Sequence, residues 1–398
     1  MVLPSFREIM VSLMTNRYSP LQHNNWFACG NFFRRPAARL MVIMVSVFLL
    51  GGAPGTEPNP QDTPEPQHMQ ERLGPPDPAA QLPTGDDAWE YWDLNATFSS
   101  GHHITARFMI TNFGPGSQSA VVLGHVTLPN GQIVEWDNGR KKSRWKLSEN
   151  GRRIGVGSSH LYLEDPVYIF EIDKNFLNIK LQFAPEEGEH LKPDMNLPEG
   201  YHTQTLTTGQ AVTGQLWIAD IVEEEIELEG FITLTHSWSS ESEADAMLRR
   251  IEILSMEEDS SLEVVDLTIP DGTHFQWLAL TEKGIMTYIT QDFEIALEGR
   301  APNYRSKKFW VPERMHLTGA GVNGMVTLSQ ITSSRNPLKV LPQPFRFLAS
   351  FASKPRLVWA QAPFELDIKI DESAPPVHRQ GTGIAVMTFT NPVKPPKK

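Results

Sequence analysis

His236 is the first side chain to weigh for chemistry, because it ends a strand-like run, Gly230-Phe-Ile-Thr-Leu-Thr-His-Ser-Trp238. An imidazole titrates near working pH, so it can serve as an acid or orient a polar head group. It serves equally well as a structural residue, hydrogen-bonding across a domain junction beside Trp238. Both readings stand on the sequence alone. Trp238 and Trp217 are candidates for the wall of a ligand cavity, although a buried tryptophan in a β-protein is core more often than not. Glu229 and Asp220 lie close by in sequence, but side-chain alternation along a strand does not place either beside the imidazole. On the residues alone the ligand-binding candidates are Trp217, Glu229, His236 and Trp238, with His236 the one catalytic candidate.

Other chemistries find little footing. Cys29 is the only cysteine and precedes the first apolar segment, so the body of the chain has no disulfide, thiolate metal site or cysteine nucleophile. His102-His103 sits in a Ser-Ser-Gly turn, and no third metal ligand can be placed beside it. No Gly-x-Ser-x-Gly elbow is present. Gly319-Ala-Gly-Val-Asn-Gly324 has the spacing of a dinucleotide loop but no βαβ surroundings, and reads as a β-turn. Lys plus Arg number 35 against 47 Asp plus Glu, a formal net charge of -12 that argues against a nucleic-acid surface. The run Glu223-Glu224-Glu225 reads as a solvated loop. No cofactor and no metal are expected.

The elements that must position these residues read as strands. Ile104–Thr111, Ala120–Leu128, Val167–Ile172, Phe176–Phe183, Ala211–Ile218 and Phe364–Ile370 are rich in β-branched and aromatic residues, separated by turn signals. One helix is expected over Phe345–Ser353, either covering a barrel end or touching a membrane. A ten-residue phrase occurs twice. Thr127–Trp136 reads TLPNGQIVEW and Thr268–Trp277 reads TIPDGTHFQW, 141 residues apart. Each is a strand, a tight turn whose glycine supplies positive φ, and a returning strand. Trp136 and Trp277, equivalent in this match, are read as structural. Gly230-Phe-Ile-Thr-Leu-Thr235 and Gly383-Ile-Ala-Val-Met-Thr388 form a weaker echo 153 residues apart. Together they indicate two copies of one β-domain.

Leu40–Leu50 is an unbroken apolar run of 11 residues, preceded by Arg34, Arg35 and Arg39 and followed by Gly51-Gly52-Ala53. This is the pattern of a secretory signal, with a cut after Gly55 or retention as an anchor the alternatives. Nine prolines between 54 and 83 mark a semi-rigid spacer. The expected organisation is an N-terminal extension (1–55), a Pro-rich linker (56–85), a first β-barrel (86–240), a second (241–392) and a basic tail (393–398). The chain is expected outside the cytoplasm, periplasmic if bacterial, secreted or tethered through its N-terminal segment.

The run Trp89-Glu-Tyr-Trp-Asp, then Ile104-Thr-Ala-Arg-Phe-Met-Ile-Thr-Asn-Phe-Gly-Pro-Gly116, then the Pro-Asn-Gly hairpin, resembles the lipocalin-like superfamily of survival-factor proteins and carotenoid 1,2-hydratases. Leu338-Lys-Val-Leu-Pro342, Lys354-Pro-Arg-Leu-Val-Trp359 and the Gly381–Asn391 strand resemble the survival-factor branch more than the hydratases. The resemblance implies an all-β fold of two tandem lipocalin-like (calycin) antiparallel barrels, with an apolar cavity in one or between them. It implies ligands such as lipids, sphingolipids or terpenoids. At the place of the hydratases' aspartate this chain has Thr235, which joins the ligand-binding candidates only through the resemblance, and a threonine cannot protonate carbon. The resemblance therefore favours binding or transfer of an apolar molecule at the outer face of a membrane, with a stress-protective role included. The alternative is an enzyme, a hydratase, isomerase or cyclase, acting on a long apolar substrate in the same cavity. Pericyclic chemistry would need positioning alone.

Overall fold

In a computed structural model the chain is described over residues 71–395, apart from 74–75, 86, 113–117, 186–189, 193–196, 199, 259, 284, 342–352 and 371–374. The apolar run at 40–50 and nearly all of the expected helix at 345–353 lie outside the described residues. No helix among those described is long and apolar enough to cross a membrane.

Antiparallel strands build almost everything. A two-stranded ribbon joins β1 (Glu71–Leu73) to β11 (His190–Lys192). The first large sheet contains β2 (Trp89–Phe98), β3 (His103–Thr111), β4 (Ser119–Thr127), β5 (Ile133–Arg140), β6 (Trp145–Leu147), β7 (Arg153–Val156), β8 (Ser159–Glu164), β9 (Val167–Lys174), β10 (Leu177–Phe183), β12 (Tyr201–Ile218) and β13 (Ile226–Ser239). Its order is β5-β4-β3-β2-β13-β12-β10-β9-β8-β7-β6, curled into a nearly closed barrel. After a one-turn helix, α1 (Glu243–Ala246), the second sheet begins with β14 (Arg249–Glu257), β15 (Ser260–Thr268), β16 (His274–Glu282), β17 (Ile285–Thr290) and β18 (Phe293–Glu298). It continues through β19 (Arg314–Gly319), β20 (Val322–Thr327), β21 (Gln330–Arg335), β22 (Arg356–Ile368) and β23 (Val377–Phe389). The order there is β17-β16-β15-β14-β23-β22-β20-β19-β18, with β21 paired to β22, again a nearly closed barrel. The fold is all-β, two tandem lipocalin-like barrels.

Strand composition explains where each strand lies. In β10, Leu177, Ile179, Leu181 and Phe183 are buried while Asn178, Lys180 and Gln182 face outward, the period-two alternation of a one-sided strand. β2, β3 and β4 are buried along nearly their whole length, because one face fills barrel 1 and the other packs on barrel 2. Trp92, Leu94, Ala96 and Phe98 point into barrel 1, whereas Trp89 and Tyr91 join Leu267, Trp359 and Val386 in a separate cluster between the barrels. Ile251, Ile253, Val264, Leu278, Ala385 and Phe389 belong to the third cluster, inside barrel 2. Each large apolar side chain removed from water contributes about 1.5–3 kcal/mol.

The two sequence echoes fare differently against this topology. The Asn130-Gly131 and Asp271-Gly272 turns are alike in detail: both glycines have positive φ (81° and 93°), and each Asx carboxamide or carboxylate accepts from the amide two residues on. Yet the first hairpin joins β4 to β5, at the edge of its sheet, and the second joins β15 to β16, one strand in from the edge. Trp136 consequently points into barrel 1, where Gly124 makes room for it. A methyl group at 124 would come within 2.4 Å of the indole. Leu267 and Phe275, across the second hairpin, face the other barrel instead. Turn chemistry is local, so it reproduces a hairpin without fixing its place in the sheet. The weaker echo marks equivalent positions: β13 and β23 both close their barrels against the first strand, and Ile232 and Leu234 point inward as Ala385 and Met387 do.

Candidate functional site

Two places gather chemistry-bearing side chains, and they use opposite faces of the same strands. The first is the mouth of barrel 1. His236 is fully buried and its ring stacks on Trp92 (4.5 Å, 9°) and against Trp238 (4.7 Å). His202 stacks on the far side of Trp238 at 5.2 Å, giving a continuous aromatic row from β2 across β13 to β12. The Gln204 amide donates to His236 Nδ1 (3.1 Å), which leaves Nε2–H to donate to Glu90 Oε1 (2.7 Å). Burial lowers the His236 pKa, opposed by the Glu90 bond and charge, in keeping with a neutral imidazole. The structural reading of His236 fits, with one difference. Its partners lie within barrel 1, not across the domain junction.

Of the expected site residues, the structure brings His236 and Trp238 together and separates the rest. Trp217 is half-buried on the side of β12 away from Leu216 and Ile218, opposite Asn178. Glu229 is exposed, and its carbonyl accepts from the Ser99 amide and hydroxyl. It lies seven residues down the strand from His236, roughly 23 Å away. Thr235 is buried but faces the other barrel, and its hydroxyl has no partner among the described residues.

Thr235 thus opens on the second place, the seam between the barrels. Directly across from it on β2 is Asp93, buried and held by Arg107 through two bonds of 2.6 Å each. Arg107 also donates to the Thr388 hydroxyl of barrel 2 (2.9 Å) and lies over the Tyr91 ring at 4.1 Å. Burial pulls the guanidinium down, but Asp93 more than offsets it and keeps the charge. From barrel 2, Arg250 pairs with Glu252 at 3.1 Å and reaches the Ser237 hydroxyl at 3.4 Å. Glu243, on α1 between the barrels, has its pKa pushed up to about 7 by burial, with Arg107 opposing and Asp93 adding. Glu252 is raised too, by burial first, against the attraction of Arg250. Burial raises Tyr91 well above its ordinary value, and the Tyr91 and Tyr201 hydroxyls lack partners among the described residues.

The seam opens at one end, among His103, Thr105, His125, Thr127, Thr332, Gln361 and Thr382, into about 40 Å³, room for a few water molecules. There His125 bonds the Thr105 hydroxyl at 2.9 Å, and burial pushes its pKa down to about 3, with Arg335 adding to the effect. Cavities at the mouths of barrel 2 and barrel 1 measure about 20 and 10 Å³. The expected ligand chamber is thus not an open one: Phe108, Phe170, Trp92 and Trp136 fill barrel 1, and Val264, Met315 and Phe389 fill barrel 2. No group of three or more metal-ligating side chains occurs among the described residues.

Sequence reasoning missed the seam residues, although one signal existed. Arg107 is the one Arg, Lys, Asp or Glu residue in β3, but the pairing of Asp93 with Thr235 spans 142 residues, and the alternation within one strand does not set it.

No family model matches the sequence, and no curated protein does. Among solved structures, a protein assigned as AttH from Nitrosomonas europaea superposes with TM-score 0.54 at 14% identity, covering 80% of this chain and all (100%) of that one. Kievitone hydratase from Nectria haematococca superposes with TM-score 0.53 at 8% identity, covering 78% of this chain and 91% of the other. At such identities the likeness concerns architecture: this chain has the two-barrel lipocalin-like fold that those proteins share.

Proposed function

We propose that the protein takes up an elongated, largely apolar molecule at the seam between its barrels and performs proton-transfer chemistry there, of the hydratase, isomerase or cyclase class. The observation that carries this reading is Glu243, a buried carboxyl with a pKa of about 7 in the field of the Arg107–Asp93 pair. A carboxyl that keeps its proton near neutral pH is the acid such reactions need, and it compensates for the threonine at position 235. In the hydratase form, the Glu243 proton adds to an alkene carbon. Water adds to the cation so formed, and the proton it sheds returns to the Glu243 carboxylate. The two-barrel fold also carries a protein named as a hydratase, so the architecture is compatible with this chemistry. The seam must part to admit such a molecule.

A second reading, binding or transfer without turnover, draws on the aromatic row Trp92, His236, Trp238 and His202 and on the stretches resembling the survival-factor branch. Residence outside the cytoplasm, at or near a membrane, belongs to either reading and rests on the apolar run Leu40–Leu50.

The test is native mass spectrometry of the full chain from its source, followed by incubation of the extracted molecule in deuterated water with wild type and Glu243→Gln. The enzyme reading expects an apolar molecule that gains deuterium with wild type only. Equal incorporation with both proteins would remove Glu243 from the mechanism, and a bound molecule that is never altered would favour the carrier.

A further inference from the structure

Residues 76–85 close the Pro-rich spacer, and they lie across the mouth of barrel 1 beside His236, away from the seam. Their contacts have an unusual character, because almost every polar one reads main chain. The amides of Gln81 and Leu82 donate to the two oxygens of the Glu90 carboxylate at 2.7 and 2.9 Å. The Gln204 side chain donates to the Asp77 carbonyl at 2.6 Å, and the Ala80 amide donates to the Gly151 carbonyl at 3.0 Å. Asn112 donates to the carbonyls of Gly85 (2.7 Å) and Pro83 (3.4 Å). Asp77 with the partly exposed Arg152 is the one side-chain ion pair. Ala80 and Leu82 rest on the barrel core.

Glu90 is fully buried and reaches His236 with the same carboxylate that receives the strap. Groups built into a barrel mouth to receive the N–H and C=O groups of an extended, proline-bracketed segment form a peptide site, of the kind that takes affinity from main-chain bonds. We infer that the mouth of barrel 1 is a binding site for an extended peptide, with Glu90, Gln204 and Asn112 as its recognition groups, and that residues 77–85 of the same chain occupy it in cis. When the strap leaves, the Trp92–His236–Trp238 row is uncovered, so occupancy controls access to the barrel 1 mouth. Pro76, Pro78 and Pro83 restrict the segment beforehand, which lowers the ordering cost of binding.

A labelled synthetic peptide of residues 76–85 is titrated against three forms of the full chain. Gln81→Pro with Leu82→Pro removes both amide donors and should bind the peptide saturably in trans, at least 10-fold more tightly than wild type. In the second form, Cys29→Ser removes the native thiol, and Ala79→Cys with Gly151→Cys locks the strap. A Cβ at 151 would stand 3.4 Å from that of Ala79, at the short limit for a disulfide. The φ of 70° at Gly151 strains a cysteine there, so native folding of the oxidised form is checked first. The oxidised form should exclude the peptide, and reduction should restore wild-type behaviour. Peptide binding to the locked form as strong as to the proline variant would place binding elsewhere and overturn the inference. So would a folded proline variant that binds nothing. Should the proline variant not fold, hydrogen exchange of wild type decides. The Gln81 and Leu82 amides should exchange through a local opening, well before the barrel core, and exchange only by global unfolding would contradict a removable strap.

Discussion

The interiors of the two barrels and the seam between them are made from alternate residues of the same strands, yet they hold opposite chemistry. On β2 the inward residues are Trp92, Leu94, Ala96 and Phe98, while Tyr91 and Asp93 face the seam. Deep inside, packing is apolar, with Glu90 and His236 a buried polar pair at the mouth of barrel 1. In the seam, Arg107, Asp93, Arg250, Glu252 and Glu243 are all buried, and two tyrosine hydroxyls have no partner among the described residues. Buried charge is costly unless it is paired, and each seam charge here has an opposite charge within reach. The two regions differ in that apolar packing holds each barrel together, whereas paired charges lie between them.

The comparison is sharpened first by an interior change. Phe170→Ala, which removes a ring packed edge-on to Phe108 at 6.1 Å, should cost about 3–5 kcal/mol in denaturant unfolding. It should leave the pH dependence of stability as in wild type. In the seam, Arg107→Met strands the Asp93 carboxylate without its partner. A loss of about 3–5 kcal/mol is expected, with part of it recovered when Asp93→Asn is added. Failure of the second change to recover anything would mean that the pair is not energetically coupled.

Glu243 gives the third prediction, and its sign follows from linkage. The folded pKa of about 7 lies above the 4.5 usual for a glutamate, so the native state holds more protons than the unfolded chain between those values. Stability is therefore highest below about pH 4.5 as far as this group is concerned, and falls as pH rises towards 7. The total change is about 3 kcal/mol. Glu243→Gln should remove this contribution, leaving that of Glu252, and be more stable than wild type at pH 8, as followed by thermal unfolding across pH. The smallest effect belongs to Thr235→Val, which replaces an unpartnered buried hydroxyl with a methyl. It should change stability by less than about 1 kcal/mol, and a large loss would reveal a hidden partner for that hydroxyl.

The fold was legible because antiparallel strands with one wet face carry a period of two, as β10 does, and because Gly-containing turns announce hairpins. The repeat was legible as well, but the stronger of its two echoes pointed to hairpins at different places in their sheets. The site was harder to read. His236 and Trp238 do come together, yet the groups that complete their surroundings, Glu90 and Gln204, lie 146 and 32 residues away along the chain. The seam acids were invisible for a related reason. A carboxyl such as Glu243 acquires its character from burial against a second domain, and no local pattern reports that burial.

The most direct test of the account is an infrared titration of carboxyl protonation in the full chain, wild type against Glu243→Gln. A buried seam acid predicts a carboxyl band in wild type that disappears with a midpoint near pH 7, and a smaller band of the same kind in Glu243→Gln, where Glu252 remains. Identical titrations of the two proteins, with every carboxyl ionised by pH 5, would contradict it.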